Sequence, residues 1–329
     1  MTKTSIVALS GPSSSGKTTL ARLLQRIFSN HPEQQISTFI IHEDDFYHPD
    51  DKIPYTTTPS GTPIQDWDCL EALDINFLNS ALRYVHEHGH LPPRLRSKED
   101  LNDVSPGSGV AEALVEELRA HVSGRAGEIL SSSSSHPVTL AILEGFLLYA
   151  PPRTENGGER HGLRGVHDQI DVRFFLPAPY DLVKERREKR SGYVTIGPAP
   201  GPELPQRSSA SASDDGKGGE EVDLEEEDDR PPQNFWTDPP GYVDDIVWPR
   251  YVRDHAWLLL PEEEGTGLEP LSSTANTDDL VKRVGQGINV RADAGVTVAP
   301  GQGALPMPDL LKWAVEKVLN HLEQRNKTR

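Results

Sequence analysis

Apolar and polar positions along this chain alternate between two periods. "SIVALS", Ser5 to Ser10, is a short apolar run of strand length, and "TLARLLQRIF" soon after it sets Leu20, Leu23, Leu24 and Ile27 on one helical face. "STFII", from Ser37, reads as another strand. "VTLAILEGFLLYA", Val138 to Ala150, includes Leu140 to Leu143, apolar at every position, as in a strand buried on both faces. Helical spacing returns in "CLEALDINFLNSALRYV" from Cys69, in "VAEALVEELRAHV" with Val110, Leu114 and Leu118 in register, and in the basic segment "PYDLVKERREKRSGY" from Pro179. A last helix, "PDLLKWAVEKVLNHLEQ", carries Leu311, Ala314, Val315, Val318 and Leu322 as a stripe suited to core packing. No internal repeat is visible.

The segment joining the first strand to the first helix is "GPSSSGKTT", Gly11 to Thr19. It fits G-x-x-x-x-G-K-[ST] in the strand-to-helix setting that this pattern requires. Glycines let the backbone curl so that its N–H groups point at phosphate oxygens, and the helix N-terminus adds partial positive charge. Gly11, Ser13, Ser14, Ser15, Gly16, Lys17, Thr18 and Thr19 are therefore the candidate nucleotide-phosphate site, with Lys17 reaching the β and γ phosphates and Thr18 on Mg²⁺. The expected fold is α/β: a P-loop NTPase three-layer α/β/α sandwich with a mostly parallel sheet and a small lid. Residues 3–10 could pass for a secretory leader, but the run is short and no small-residue cleavage site follows, so a first strand is expected.

Two further strand ends supply acids. Glu144 closes the run "LAIL" as a Walker-B carboxylate would, and Glu43-Asp44-Asp45 follow "FII". Ligands of open α/β sheets bind at the carboxyl edge, so both acid groups could converge on the loop. His42 and His48 flank the second group and read as structural. Arg186, Arg187 and Arg190 on the basic helix are candidate lid residues that neutralise γ-phosphate charge, and lid closure favours transfer over hydrolysis. The sequence argues against a GTPase switch: the chain's one Asn-Lys, at Asn326-Lys327, lacks the Asp that guanine recognition needs.

Composition narrows the setting. The chain has 329 residues and a net charge of −18, which argues against a nucleic-acid-binding surface. Cys69 is the only cysteine, which excludes an intrachain disulfide and suggests a reducing compartment. No apolar run reaches membrane-spanning length, so a cytoplasmic protein is expected, with the nucleus also open to it. Ten acidic residues against one lysine lie between Asp214 and Asp229. Residues 94–136, 197–232 and 262–307 read as low-complexity or disordered insertions, with a short helix at "DDLVKRV" in the third. The acidic insertion reads as a solvated linker, though it could recruit an unknown partner. One P-loop kinase domain over 1–329 is expected, with its core at 1–93, 137–196, 233–261 and 308–325.

Several segments together carry a resemblance. "GPSSSGKTTLARLL", "HEDDFYHP", "QDWDCLEALD", "ILEGFLLY", "REKRSGY" and "FWTDPPGYVDDIVWPRY" resemble the nicotinamide riboside kinases of fungal type, in the uridine-kinase-like branch of P-loop small-molecule kinases. The resemblance covers most of the expected core in the family's order and leaves out the three insertions. It implies ATP and nicotinamide riboside as partners, Mg²⁺ as cofactor and nicotinamide mononucleotide as product, a step in NAD salvage. It implies Asp45 as the base meeting the ribose 5′-hydroxyl, with Lys17 and Glu144 completing the catalytic set. Asp68 would bind ribose hydroxyls, Trp67 would stack on the pyridine ring, and Asp238 would be another substrate contact. The second stacking aromatic would be Tyr193, with Trp236 as its rival because the insertion follows Tyr193 closely. An aromatic face attracts the fixed pyridinium charge by ~0.5–2 kcal/mol. Nicotinic acid riboside as a further acceptor and GTP as donor stay open. The alternatives are a uridine/cytidine-type kinase and a non-catalytic nucleotide-dependent adaptor.

Overall fold

A computed structural model describes residues 3–29, 36–95, 97, 108–131, 138–155, 157–195, 197, 234–262, 271 and 276–327. The strands are β1 (Lys3–Ser10), β2 (Ile36–His42), β3 (Tyr55–Thr57), β4 (Pro63–Gln65), β5 (Val138–Glu144), β6 (Val172–Phe175), β7 (Tyr193–Thr195), β8 (Asn234–Trp236) and β9 (Thr297–Val298). The helices are α1 (Lys17–Phe28), α2 (Ile75–His88), α3 (Glu112–Ser131), α4 (Arg164–Asp168), α5 (Tyr180–Glu188), α6 (Trp248–Asp254), α7 (Thr277–Val284) and α8 (Met307–Lys327).

The central sheet has the order β2-β5-β1-β6-β9, and every pairing in it is parallel. Successive side chains of a strand point to opposite faces. Ile6 and Ala8 of β1, Ala141 and Leu143 of β5 and Phe175 of β6 accordingly enter a core shared with α2, α6 and α7. Val7, Leu9, Leu140, Ile142 and Phe174 enter a second core with α1, α3 and α8. This is the expected three-layer α/β/α sandwich. All of β5 is buried, as its unbroken apolar run requires. The stripes on α1 and α8 are buried as read, and α3 turns Val115, Leu118 and Val122 inward against α1 and α8.

Three expectations change. The helix expected from Cys69 begins at Ile75, because the Asp74 carboxylate caps it by accepting from Phe77 N at 2.8 Å. The basic helix ends at Glu188, and Gly192 breaks it before β7. The third stretch, 262–307, read as an insertion outside the core with a short helix at "DDLVKRV", has that helix as α7 and adds the edge strand β9, which was not expected. Leu280, Val284, Ala294, Val296 and Ala299 from this stretch are all buried. Most of the first stretch, 94–136, is described and contains α3, where the helical spacing predicts a helix; of the second, 197–232, only Gly197 is described, and the whole acidic run lies outside the described residues. Among the described residues no helix is long and apolar enough to cross a membrane.

Candidate active site

Parallel strands bring their carboxyl ends to one edge, and three of those ends build the site. Gly11 follows β1 with φ +148°, and a Cβ there would lie 2.3 Å from the carbonyl oxygen of Leu176, so the loop can pass so close only as glycine. Gly16, in the left-handed region at φ +98°, turns the chain into α1. Lys17 is buried and donates to the carbonyls of Gly11 (3.1 Å) and Pro12 (2.9 Å), folded back on its own loop. The hydroxyls of Ser14 and Ser15 are buried with no hydrogen-bond partner among the described residues. Ser13 lies between Pro12 and Ser14 in the loop, and Thr19 is in the first turn of α1.

Glu144, the last residue of β5, stands opposite His42 of β2 and Leu9 of β1 in the sheet register. Its Oε2 accepts from the Thr18 hydroxyl at 3.1 Å, and its Oε1 lies 2.7 Å from His42 Nδ1. Burial alone would raise this carboxyl, but the His42 and Thr18 hydrogen bonds and the charge of Lys17 outweigh it and hold Glu144 below the usual range. His42, read from sequence as structural, is thus part of the site. The signal that could have found it is its place at the end of a strand beside a Walker-B strand. Burial lowers the Lys17 pKa, against the pull of Glu144, Asp44 and Glu43.

After β2 the chain makes a tight turn over Glu43–Phe46 with three residues per turn. Neighbouring side chains there diverge by about 120°. Glu43 turns inward and accepts from the N–H groups of Phe146 (2.6 Å) and Leu147 (3.0 Å), tying the β2 end to the β5 end. It lies directly over Gly145, where a Cβ would come within 2.4 Å of its carboxylate. Burial raises its pKa to about 8. Asp44 faces the phosphate loop: burial first, then the charge of Glu144, raise it to about 6, while Lys17 and Arg190 oppose that rise. Asp45 is buried, and the acids that act most on Lys17 are Glu144, Asp44 and Glu43. Asp44 and Asp45, neighbours on this turn, point in different directions, and the charge of Asp44 acts on Lys17.

The lid arginines also separate. Arg186 donates to the carbonyl of Ser14 at 3.1 Å, while Arg190, past the end of the helix, has its guanidinium carbon 4.9 Å from the Tyr193 ring and its charge felt by Lys17 and Asp44. Arg187, about 100° round the helix from Arg186, points the other way. It is 6 % exposed and pairs with both oxygens of Asp68 (2.7 and 2.9 Å) and with Asp238 (2.7 Å). Arg187, expected with the lid arginines, is held in this structure by Asp68 and Asp238, the two carboxylates that the resemblance implies for the acceptor. The faces of Tyr193 and Tyr242 lie 5.3 and 5.6 Å from its guanidinium carbon.

Around this pair is a group of aromatic rings. Trp67 and Trp236 have centroids 5.6 Å apart, Tyr47 meets Trp67 edge-on at 5.4 Å, and Trp236 meets Tyr242 at 5.9 Å. Tyr193 and Trp236 are cross-strand partners in the β7–β8 hairpin, so both candidates for the second aromatic come from one element. Trp67 is also core: it packs with Ile53, Tyr242 and Ile246, and its Nε1 has no partner among the described residues. The Trp236 indole donates to Asp238 at 2.9 Å. Tyr47 joins the two halves of the site. Its hydroxyl, buried and raised well above its usual pKa, feels Asp44 and Glu43 from one side and Asp68 and Arg187 from the other.

Beside the phosphate loop is a cavity of about 530 Å³ walled by Ser15, Arg186, Gln286 and the segment Ala299–Leu310. Sequence reasoning missed this wall, since Gly/Pro-rich "APGQGALP" carries no periodicity. Among the described residues no group of three or more His, Cys, Asp or Glu is arranged to hold a metal. Mg²⁺ in phosphate sites needs only one or two carboxylates beside phosphate and water oxygens. Two carboxylates crowded enough that Glu144 raises Asp44, beside the Thr18 hydroxyl, are donors of that kind.

Comparison with known proteins bears out the resemblance read from the motifs. The chain is 29 % identical to the nicotinamide riboside kinase of Schizosaccharomyces pombe over 322 residues, 98 % of this chain and 99 % of that protein. It is 26 % identical to the Saccharomyces cerevisiae protein of that name over 82 % of this chain and 85 % of the relative. For the Eremothecium gossypii protein of that name the figures are 28 %, 78 % and 78 %. No protein-family model matches the chain.

Proposed function

We propose that this chain is an ATP-dependent nicotinamide riboside kinase, transferring the γ-phosphoryl group to the ribose 5′-hydroxyl to give nicotinamide mononucleotide, a step in NAD salvage. The observation that carries the reading is the pairing of two half-sites through Tyr47. On one side lie the phosphate loop with Lys17, Asp44 and Glu144; on the other, an aromatic group with Asp68 and Asp238. Asp68 and Asp238 are bound by Arg187, and the Arg190 guanidinium also lies 4.9 Å from the Tyr193 ring, so the carboxylates are balanced and the aromatic faces carry the selectivity. Aromatic faces suit a pyridinium cation, whereas a neutral pyrimidine calls for hydrogen-bonding groups at its edge.

In this reading the base of the nucleotide occupies the cavity bounded by Arg186 and Ala299–Leu310, whose volume is in the range of small-molecule sites. Lys17 exchanges its two carbonyl partners for phosphate oxygens. Mg²⁺ supplies charge neutralisation at the transferring group when bound, and Thr18, Glu144 and Asp44 are the residues that would hold it or its waters. Asp44 takes the role first given to Asp45. It accepts the proton of the 5′-hydroxyl, and a carboxyl raised to about 6 is matched to work near neutral pH. Asp68 and Arg187 offer a carboxylate and a guanidinium to the vicinal ribose hydroxyls, which both donate and accept. Arg186 and Arg190 close over the phosphates. One P-loop kinase domain with Trp67 and either Tyr193 or Trp236 as the ring platform completes the assignment.

The test is to incubate the protein with Mg·ATP and, separately, nicotinamide riboside, uridine or cytidine, and to read phosphorylated nucleoside by mass. Fast product from nicotinamide riboside alone is expected. Product mainly from the pyrimidines would keep the phosphotransferase and discard the pyridinium account.

A further inference from the structure

The β7–β8 hairpin brings Tyr193 and Trp236 into the acceptor half-site, yet its strands are only three residues each. A two-stranded hairpin of that size is marginal on its own. Residues 196 to 233, 38 in number, separate Thr195 from Asn234. Closing a loop becomes less favourable as the three-halves power of its length, so 38 residues in place of about four make closure roughly 30-fold harder. Something must offset that for the aromatic pair to be in place before substrate arrives.

Asp50 is positioned to do so. Its Oδ2 accepts from the Thr195 hydroxyl at 2.9 Å and from Asn234 Nδ2 at 2.8 Å, so one oxygen joins the last residue of β7 to the first of β8. Its Oδ1 accepts from Gly197 N at 3.1 Å, and its own N–H donates to the Gly197 carbonyl at 2.9 Å. Its carbonyl accepts from Gln65 Nε2 at 2.7 Å, at the end of β4 and two residues before Trp67. One residue thus fastens both stems of the hairpin to the segment that carries Trp67 and Asp68. A carboxylate suits this place because it accepts at both oxygens and several sites.

We propose that Asp50 is a positioning residue for acceptor binding: it clamps the open end of the β7–β8 hairpin and so holds Tyr193 and Trp236 against Trp67. Its hydrogen bonds named here go to the two hairpin stems and to Gln65, and its effect on kinetics rests on the acceptor reading above. Asp50→Ala is expected to raise KM for nicotinamide riboside about 10- to 30-fold while kcat and KM for ATP stay within about twofold. If the clamp works against loop length, replacing residues 197–233 by a four-residue turn in the Asp50→Ala background restores acceptor KM to within about threefold. Amide hydrogen exchange of residues 193–195 and 234–236, measured without any substrate, is expected to speed up about 10- to 30-fold in Asp50→Ala and to slow again in the shortened form. The exchange arm is independent of which acceptor is used. A wild-type chain that fails to phosphorylate nicotinamide riboside would sink the acceptor reading alone. Unchanged exchange and unchanged acceptor KM in Asp50→Ala would overturn the clamp and leave the acceptor reading standing. A fall in kcat with unchanged KM would also overturn it.

Discussion

Arg187 is the residue whose loss the structure prices most directly. Its guanidinium is 6 % exposed, between Asp68 at 8 % and Asp238 at 13 %, with four hydrogen bonds of 2.7 to 3.4 Å joining them. Arg187→Met keeps the stem's packing but removes the charge, so two nearly buried carboxylates face each other without a counter-ion. Removing one partner of a buried pair costs about 3–5 kcal/mol. That cost depends on pH with a definite sign. Burial already raises Asp68 above its ordinary value, with Arg187 opposing the rise, so without Arg187 it rises further. A carboxyl raised in the folded state gives stability that is present below its unfolded pKa and lost as pH rises through its folded pKa. The deficit of Arg187→Met relative to wild type should therefore be about 3–5 kcal/mol at pH 8 and smaller at pH 5 by at least ~1.4 kcal/mol, one pH unit's worth. Urea unfolding followed by tryptophan fluorescence at both pH values measures it. A deficit below ~1 kcal/mol at pH 8, or one equal at both pH values, would refute the view that Arg187 is the internal counter-ion of the acceptor site.

Other outcomes follow from the same geometry. Asp44→Asn should lower kcat at least ~100-fold with small changes in KM, whereas Asp45→Asn should act mainly on stability; the reverse order in steady-state kinetics would return the base to Asp45. Glu43 is raised to about 8, so it stabilises the fold in acid and that contribution is lost as pH rises toward 8. Glu43→Gln, which keeps an acceptor for the Phe146 and Leu147 amides but cannot ionise, should be more stable than wild type at pH 8 by at least ~1 kcal/mol, a gain that shrinks with falling pH and vanishes below the ordinary carboxyl value of 4.5. Equal unfolding midpoints at pH 8 would contradict this. Gly145→Ala forces a methyl group into the Glu43 carboxylate at 2.4 Å, and should cost ~1–3 kcal/mol in thermal or urea unfolding along with most of the transferase activity. A variant of wild-type stability and rate would show that the two strand ends are not coupled there.

How much of this was legible in the sequence follows from which signals are local. The phosphate loop is legible because its backbone shape demands Gly11 and Gly16 at fixed spacing between a strand and a helix. The buried strand β5 and the stripes of α1 and α8 are legible because burial on one or both faces writes a period into the chain. Direction within a turn is not written that way. Asp44 and Asp45 are chemically identical neighbours, and only the tight turn at Glu43–Phe46 decides that Asp44 faces Lys17. Arg186 and Arg187 differ likewise by helix phase alone, and the partners that capture Arg187 come from 119 and 51 residues away. The strand β9 is two residues long in a Gly/Pro-rich stretch, stabilised by pairing with Phe174 and Phe175 rather than by its own pattern. His42 looked like an isolated histidine because its partner, Glu144, is 102 residues distant.

The central claim is that the acceptor half-site selects a fixed cation by aromatic faces. The measurement that tests it most directly is kcat/KM for nicotinamide riboside against its 1,4-dihydro form, which has nearly the same shape and hydroxyls but no ring charge. The account predicts a preference for the charged nucleoside of about 2- to 30-fold, the range that ~0.5–2 kcal/mol provides, and a smaller preference in Trp67→Leu. Equal kcat/KM for the two nucleosides, or a preference unchanged in Trp67→Leu, would contradict it.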